Sequence, residues 1–226
     1  MKKDVVETRE MLPRAVARVV PVLLAVSLVT ACSVLPKAES LAVYELPPAA
    51  AAASTAASTA TTSAAARDLS LRVLTPQSNQ ILNSTRILVQ RDGNELSLYQ
   101  GARWSDTAPA LFRNRLIDAF RADGRLAAVL GDTSRARADR ELTGDLLAFQ
   151  TEYDASGAPS ARVRFDAALV DASSARVLAT RRFEVTQPLQ GGVQVPRAVD
   201  ALGEATNALA AQVVSWVLEQ PAVSSR

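Results

Sequence analysis

The sequence predicts an α+β fold: a largely antiparallel sheet packed by two helices, in a single domain that follows a signal peptide and a low-complexity segment. Three observations point there. Between Leu69 and Pro188 several runs alternate apolar and polar residues, and short turn-like sequences separate them. Two other stretches, near 107–123 and 197–219, carry apolar residues three and four apart, the period of a helix with one buried face. Ahead of all these, two long stretches have compositions that build no sheet: an uncharged apolar run, interrupted only by Pro21, Ser27 and Thr30, and a run of small residues.

The apolar run comes first. Lys2, Lys3, Arg9, Arg14 and Arg18 outnumber Asp4, Glu7 and Glu10, and Val19–Thr30 (VVPVLLAVSLVT) then carries no charge. That length is too short for the ~30 Å hydrocarbon layer, which needs about 20 residues, and it reads as the core of a signal peptide over 1–31. Cys32, the one cysteine of the chain, follows the small residue Ala31 directly. It has no cysteine to pair with and no histidine anywhere to assist catalysis or metal binding. "Val29-Thr30-Ala31-Cys32" matches the bacterial lipobox, in which the thiol is acylated and the chain is cut before the cysteine. Two or more acyl chains make a stable anchor where one is marginal. Ser33 is not the aspartate that retains lipoproteins in the inner membrane, so the pattern is that of an outer-membrane lipoprotein facing the periplasm.

Cleavage there leaves equal numbers of acidic and basic residues. The pI of 9.0 therefore belongs to the uncleaved chain and is no sign of nucleic-acid binding.

Residues 32–66 form the lipidated N-terminus. Within them Leu41–Leu46 (LAVYEL) is either a first strand that rejoins the sheet or part of a tether. Pro47–Ala66 holds only alanine, serine and threonine beyond its two prolines. Such a run buries too little surface to offset its ordering entropy, and it reads as a linker able to hold a domain away from the membrane.

The domain proper is expected over 67–220, with a tail at 221–226. Leu69, Leu71 and Val73 alternate with polar neighbours in a strand that Pro76 stops. Thr85–Gln90 and Glu95–Tyr99 flank "Arg91-Asp92-Gly93-Asn94", whose Asp-Gly predicts a hairpin turn. Asp106 or Thr107 can cap a helix that carries Pro109 in its first turn and stops at Gly124. Its stripe is Leu111, Phe112, Leu116, Ala119 and Phe120. A short apolar segment, 126–130, precedes a polar loop with Arg135, Arg137 and Arg140 on its solvated side. Three strands follow, 142–153, 161–171 and 176–188, whose short connections predict an antiparallel meander. The closing helix, 197–219, aligns Val199, Leu202, Thr206, Leu209, Val213, Trp216 and Val217.

Chemistry is thin. The lack of histidine excludes Ser-His-Asp and Cys-His catalysis, and no nucleophile elbow, phosphate loop or dinucleotide fingerprint occurs. The expectation is therefore a protein that is not an enzyme, with no catalytic, cofactor or metal residues. Asp166 and Asp171 stand five apart on one strand, so they lie on opposite faces and make no pair. The cluster Tyr99, Arg103, Trp104 has two readings. Trp104 packs at the start of the helix beside Arg103 and Asp106, or the three form a patch that docks a partner, since Tyr, Trp and Arg dominate interface hot spots.

The order of lipobox, "Tyr44-Glu45-Leu46-Pro47", the segment "LRVLTPQSNQILNSTRILVQRDGNELSLYQGARWSDTAPALFRNRLIDAF" (71–120), a meander and a C-terminal helix resembles the ABC-type transport auxiliary lipoproteins, the PqiC-like family. The resemblance covers most of the chain after Cys32 apart from the Ala/Ser/Thr run, which departs from the family pattern. It implies a non-catalytic, outer-membrane-anchored auxiliary subunit of an MCE-domain lipid transporter. The implied partner is the periplasmic MCE protein, reached from the membrane through the lipid on Cys32, and homo-oligomerisation stays open. The rival from another class is a structural or regulatory outer-membrane lipoprotein, such as an activator of a cell-wall synthase.

Overall fold

The structure is a computed structural model that describes residues 41–49, 67–91, 95–192 and 194–221. Cys32 and the signal peptide expected over 1–31, the Ala/Ser/Thr run past Ala49, and the hairpin turn expected at Asp92-Gly93-Asn94 lie outside the described residues. The described elements are β1 (Ala42–Tyr44), β2 (Arg67–Val73), β3 (Arg86–Arg91), β4 (Glu95–Trp104), α1 (Ala108–Asp123), β5 (Leu126–Gly131), β6 (Arg140–Tyr153), β7 (Pro159–Asp171), β8 (Val177–Pro188) and α2 (Val195–Glu219).

Sheet order grows out of β6, the longest strand at 14 residues. Along one edge it pairs antiparallel with β7, which pairs antiparallel with β8. Its other edge is shared. β2 pairs parallel with the first residues, Arg140 to Leu142, and β3 pairs parallel with Gln150 to Glu152. Between them Gln77 bridges to Asp145. The β2 branch ends in β5 and the β3 branch runs through β4 to β1.

The α+β fold is as expected, and the sheet, antiparallel along its long β6–β7–β8 ladders, is mixed because parallel pairings join the remaining strands. Neighbours joined by short turns (β3–β4, β6–β7, β7–β8) are antiparallel, as a tight turn requires. Every pairing between strands distant in sequence (β1–β4, β2–β5, β2–β6, β3–β6) is parallel. Alternation tells which face a residue takes, but it carries no information on which distant strand lies alongside. Gly144 serves the β6–β7 pairing directly. Its φ is 147°, and a Cβ there would stand 2.0 Å from the Asp166 carbonyl oxygen.

Both helices lie on one face of the sheet. The Phe112 ring of α1 packs 5.0 Å from Phe165, and the Trp216 ring of α2 packs 5.6 Å from Phe183. Phe165 and Phe183 are cross-strand partners, so their side chains share a face. α1 buries Phe112, Leu116, Ile117 and Phe120, and it ends as its sequence requires, with Gly124 at φ 75° sending its N–H back to Phe120. α2 buries the whole predicted stripe, Val199 to Val217, and adds Ala198, Ala201, Ala205, Ala210 and Val214. The broader face reflects a second contact, because α2 also packs against α1.

The opposite face is polar. Arg182 grips Asp166 through two bonds of 2.7 and 2.6 Å, while Arg162 reaches Glu184 at 2.8 Å. Asp171 accepts hydrogen bonds from the Ser173 hydroxyl and then from the backbone N–H and hydroxyl of Ser174 in the β7–β8 turn, and these hold its carboxyl down at about 2.

One arginine of the expected solvated loop behaves otherwise. Arg135 and Arg137 are exposed, but Arg140 is only 1% exposed and donates to the Pro221 carbonyl just past α2. The last turn of α2 contains no basic residue. Arg140, the first residue of β6, therefore supplies the positive charge that a helix C-terminus favours. Its burial depends on an element eighty residues away, which the local polar sequence does not reveal.

Candidate functional site

The structure divides the predicted cluster Tyr99, Arg103, Trp104. Trp104 is 1% exposed, with its ring in an edge contact 5.8 Å from Phe149, so it is a core residue and the docking reading of this side chain is corrected. Arg103, next along the strand, faces outward and is exposed. Tyr99 is half-buried. Its hydroxyl lies 3.0 Å from Thr151 Oγ1, and burial pushes the phenol above its ordinary value while that hydrogen bond opposes the rise. Alternation separates Arg103 from Trp104, and an irregularity in β4 lies between them and Tyr99. Leu98 pairs with Leu88 but Arg103 pairs with Arg86, so β4 carries extra residues here, and Gly101 among them takes φ 68°.

A different site emerges at the N-terminal end of the described chain. β1 pairs parallel with β4, Ala42 to Ala102 and Tyr44 to Trp104, and the Tyr44 carbonyl accepts the Ser105 N–H at 2.7 Å. LAVYEL therefore belongs to the sheet. Past it, Leu46 is buried and the chain continues as a strap across the helices. Arg115 of α1 donates to the Leu46 and Pro47 carbonyls at 3.1 and 2.5 Å. Burial pushes this guanidinium below its ordinary value, and nearby Asp118 partly restores it. On α2, Gly203 leaves room for the Pro47 ring, whose carbons would lie 3.0–3.2 Å from a Cβ at that position.

The strap separates two open grooves. One, of about 540 Å³, runs between the helices with Ala119, Ala122, Ala210, Ala211 and Val214 among its lining. The other, of about 500 Å³, is lined by Pro188, Arg197, Asp200 and Glu204 among others. Asn207 borders both, and its Oδ1 is buried without a hydrogen-bond partner among the described residues. No group of His, Cys, Asp and Glu able to hold a metal occurs among the described residues.

Because β1 and β2 belong to one sheet, both ends of the Ala/Ser/Thr run are fixed in the same domain. Its length does not determine how far the domain stands from Cys32. Only residues 33–40 do that, and their nine Cα–Cα steps to Leu41 reach about 30 Å at full extension.

The outer side of this corner carries a further arrangement. Val43 pairs with Arg103, and Arg103 pairs with Arg86, which places one row of three side chains across β1, β4 and β3. Leu41 and Val43 are each 52% exposed, and both arginines are exposed. Sequence reasoning found Arg103 but missed Leu41, Val43 and Arg86, since only the strand pairing brings them together.

These features define a class: an α+β domain of one mixed sheet and two helices, entered from its N-terminal region through a strand and strap that are part of the fold. The chain belongs to the family of ABC-type transport auxiliary lipoprotein components, whose family model matches residues 44–214. A protein of known crystal structure from Xanthomonas campestris is similar, at 26% identity and a TM-score of 0.68, over 78% of this chain and 94% of that one. A Bradyrhizobium diazoefficiens protein is 27% identical over 156 residues, which are 68% of this chain but only 41% of that longer protein. A hypothetical protein of Chlamydia trachomatis, at 10% identity and a TM-score of 0.51 over 68% of this chain and 98% of its own, shares the fold alone. No helix among the described residues is long and apolar enough to cross a membrane.

Proposed function

We propose that this protein is a periplasm-facing lipoprotein, anchored in the outer membrane through acylated Cys32, that serves as a non-catalytic auxiliary subunit of an MCE-type lipid transporter. The observation that carries the reading is the position of Cys32 and its lipobox twelve residues ahead of the span, 44–214, that matches an ABC-transport auxiliary lipoprotein family. A role by binding is the one that fits an auxiliary component of a transporter. The partner in this reading is the periplasmic MCE-domain protein of the same system, held at a height above the bilayer that residues 33–40 limit.

Two measurements test it. Cys32→Ser should abolish labelling by fatty acid and release the protein from the membrane fraction; unchanged association would remove the lipoprotein reading. The acylated protein, purified in detergent, should retain an MCE-domain protein. A preparation without one would transfer the assignment to a structural outer-membrane lipoprotein.

A further inference from the structure

The row Val43–Arg103–Arg86 is physically odd for a free surface. Two arginines stand directly opposite each other on neighbouring antiparallel strands, an arrangement that is destabilising between like charges. Among the described residues neither is in an ion pair, and the acids nearest along β1 and β4, Glu45 and Asp106, lie past the carboxyl ends of those strands. The rest of the outer face does the opposite, matching Arg162 with Glu184 and Arg182 with Asp166. Beside the unmatched arginines stand Val43, on a short edge strand, and Leu41, the residue just before that strand, both more than half exposed. Apolar side chains next to unpaired arginines are the composition of a surface that settles into a lipid interface, with the chains at the acyl boundary and the guanidinium groups on phosphates.

Chain length says which surface that is. Residues 33–40 allow at most about 30 Å between Cys32 and Leu41, so a bilayer holding the lipid on Cys32 lies within reach of this corner. We infer that the outer face of β1, β4 and β3, through Leu41, Val43, Arg86 and Arg103, docks on the anionic phospholipid surface in which the chain's own lipid is inserted. This rests on the lipoprotein reading and adds to it a second, orienting contact. The anchor fixes where the domain is, and the docked face fixes which way the helices and grooves point.

The test uses the full-length acylated protein, whose only native cysteine is consumed by its lipid. Val43→Cys, and Ser174→Cys in the β7–β8 turn at the other edge of the sheet, are each labelled with an environment-sensitive fluorophore. Both proteins are reconstituted into phosphatidylethanolamine–phosphatidylglycerol vesicles with or without a lipid-borne quencher. Leu41→Cys provides a second reporter should the first variant fold poorly. The probe at 43 should shift to the blue and be quenched, while the probe at 174 stays in water. Arg86→Glu with Arg103→Glu should lower the ratio of docked to undocked protein, about fivefold for each arginine lost, and so should replacing the anionic lipid with phosphatidylcholine. A protein that floats with the vesicles while residue 43 is as unquenched as residue 174 overturns this inference and leaves the anchor intact. Failure to float at all overturns the lipoprotein reading and takes this inference with it.

Discussion

Gly203→Ala is the substitution that most directly weighs the strap against ordinary helix energetics. Gly203 lies within α2, where glycine costs about 0.8–1.0 kcal/mol relative to alanine, so an unobstructed replacement stabilises by that amount. Here the new methyl would stand 3.0, 3.1 and 3.2 Å from three ring carbons of Pro47, inside ordinary van der Waals contact. The ring has to retreat by several tenths of an ångström. Buried Leu46 and the two Arg115 hydrogen bonds resist that retreat. Overpacking of this kind costs about 1–3 kcal/mol, which exceeds the propensity gain. The expected net is a loss of about 1 kcal/mol, read as a fall of about 2–4 °C in Tm by circular dichroism. Releasing the strap with Arg115→Ala should relieve the clash, so the double variant should fall short of the summed losses by at least about 0.5 kcal/mol. A Gly203→Ala protein stabilised by about 1 kcal/mol would show that Pro47 does not bear on α2, and the strap would lose its structural role.

Two further outcomes follow from other parts of the fold. Trp216 is 5% exposed against Phe183, so Trp216→Ala should cost about 3–5 kcal/mol in chemical unfolding; an unchanged midpoint with lost self-association would make that face an interface. Acid sensitivity should come from turn carboxylates. The folded Asp171 carboxyl sits at about 2, below the ordinary value of about 3.9, so its contribution is complete above about pH 4 and is lost as pH falls towards 2. Asp132, Asp139 and Asp154 are displaced in the same direction by hydrogen bonds from Thr75, Ser70 and Ser156 respectively. With no histidine in the chain, stability measured between about pH 5 and 8 should be flat, and a step there would contradict this account.

What the sequence made legible is what local chemistry decides. The α2 stripe from Val199 to Val217 is buried as its spacing requires, and Gly124 ends α1 with a left-handed φ of 75° because a helix stop needs a residue without a Cβ penalty. The β7 alternation from Ala161 to Leu169 places apolar side chains on the helix-covered face. Trp104 takes the packing reading of its two, covered by Phe149, whereas Arg140 leaves the solvated loop expected of it. Its cation reads as surface among polar neighbours, yet the end of α2, distant in sequence, covers it.

The same limit conceals the site and explains why it took pairing to find it. A three-residue strand such as Ala42–Tyr44 has too little pattern to decide between a first strand and a tether, and its parallel partner lies some sixty residues on. Once it is placed in the sheet, two features change meaning. The Ala/Ser/Thr run ceases to be the tether, because both its ends return to one sheet and only residues 33–40 separate Cys32 from the fold. Arg103 ceases to belong with Trp104, because alternation turns them to opposite faces, and it joins Val43 and Arg86 instead. The edge strand nearest Cys32 in sequence also aligns exposed Val43 with the arginine pair, so the proposed anchor and the inferred orienting contact would meet at one corner of the sheet.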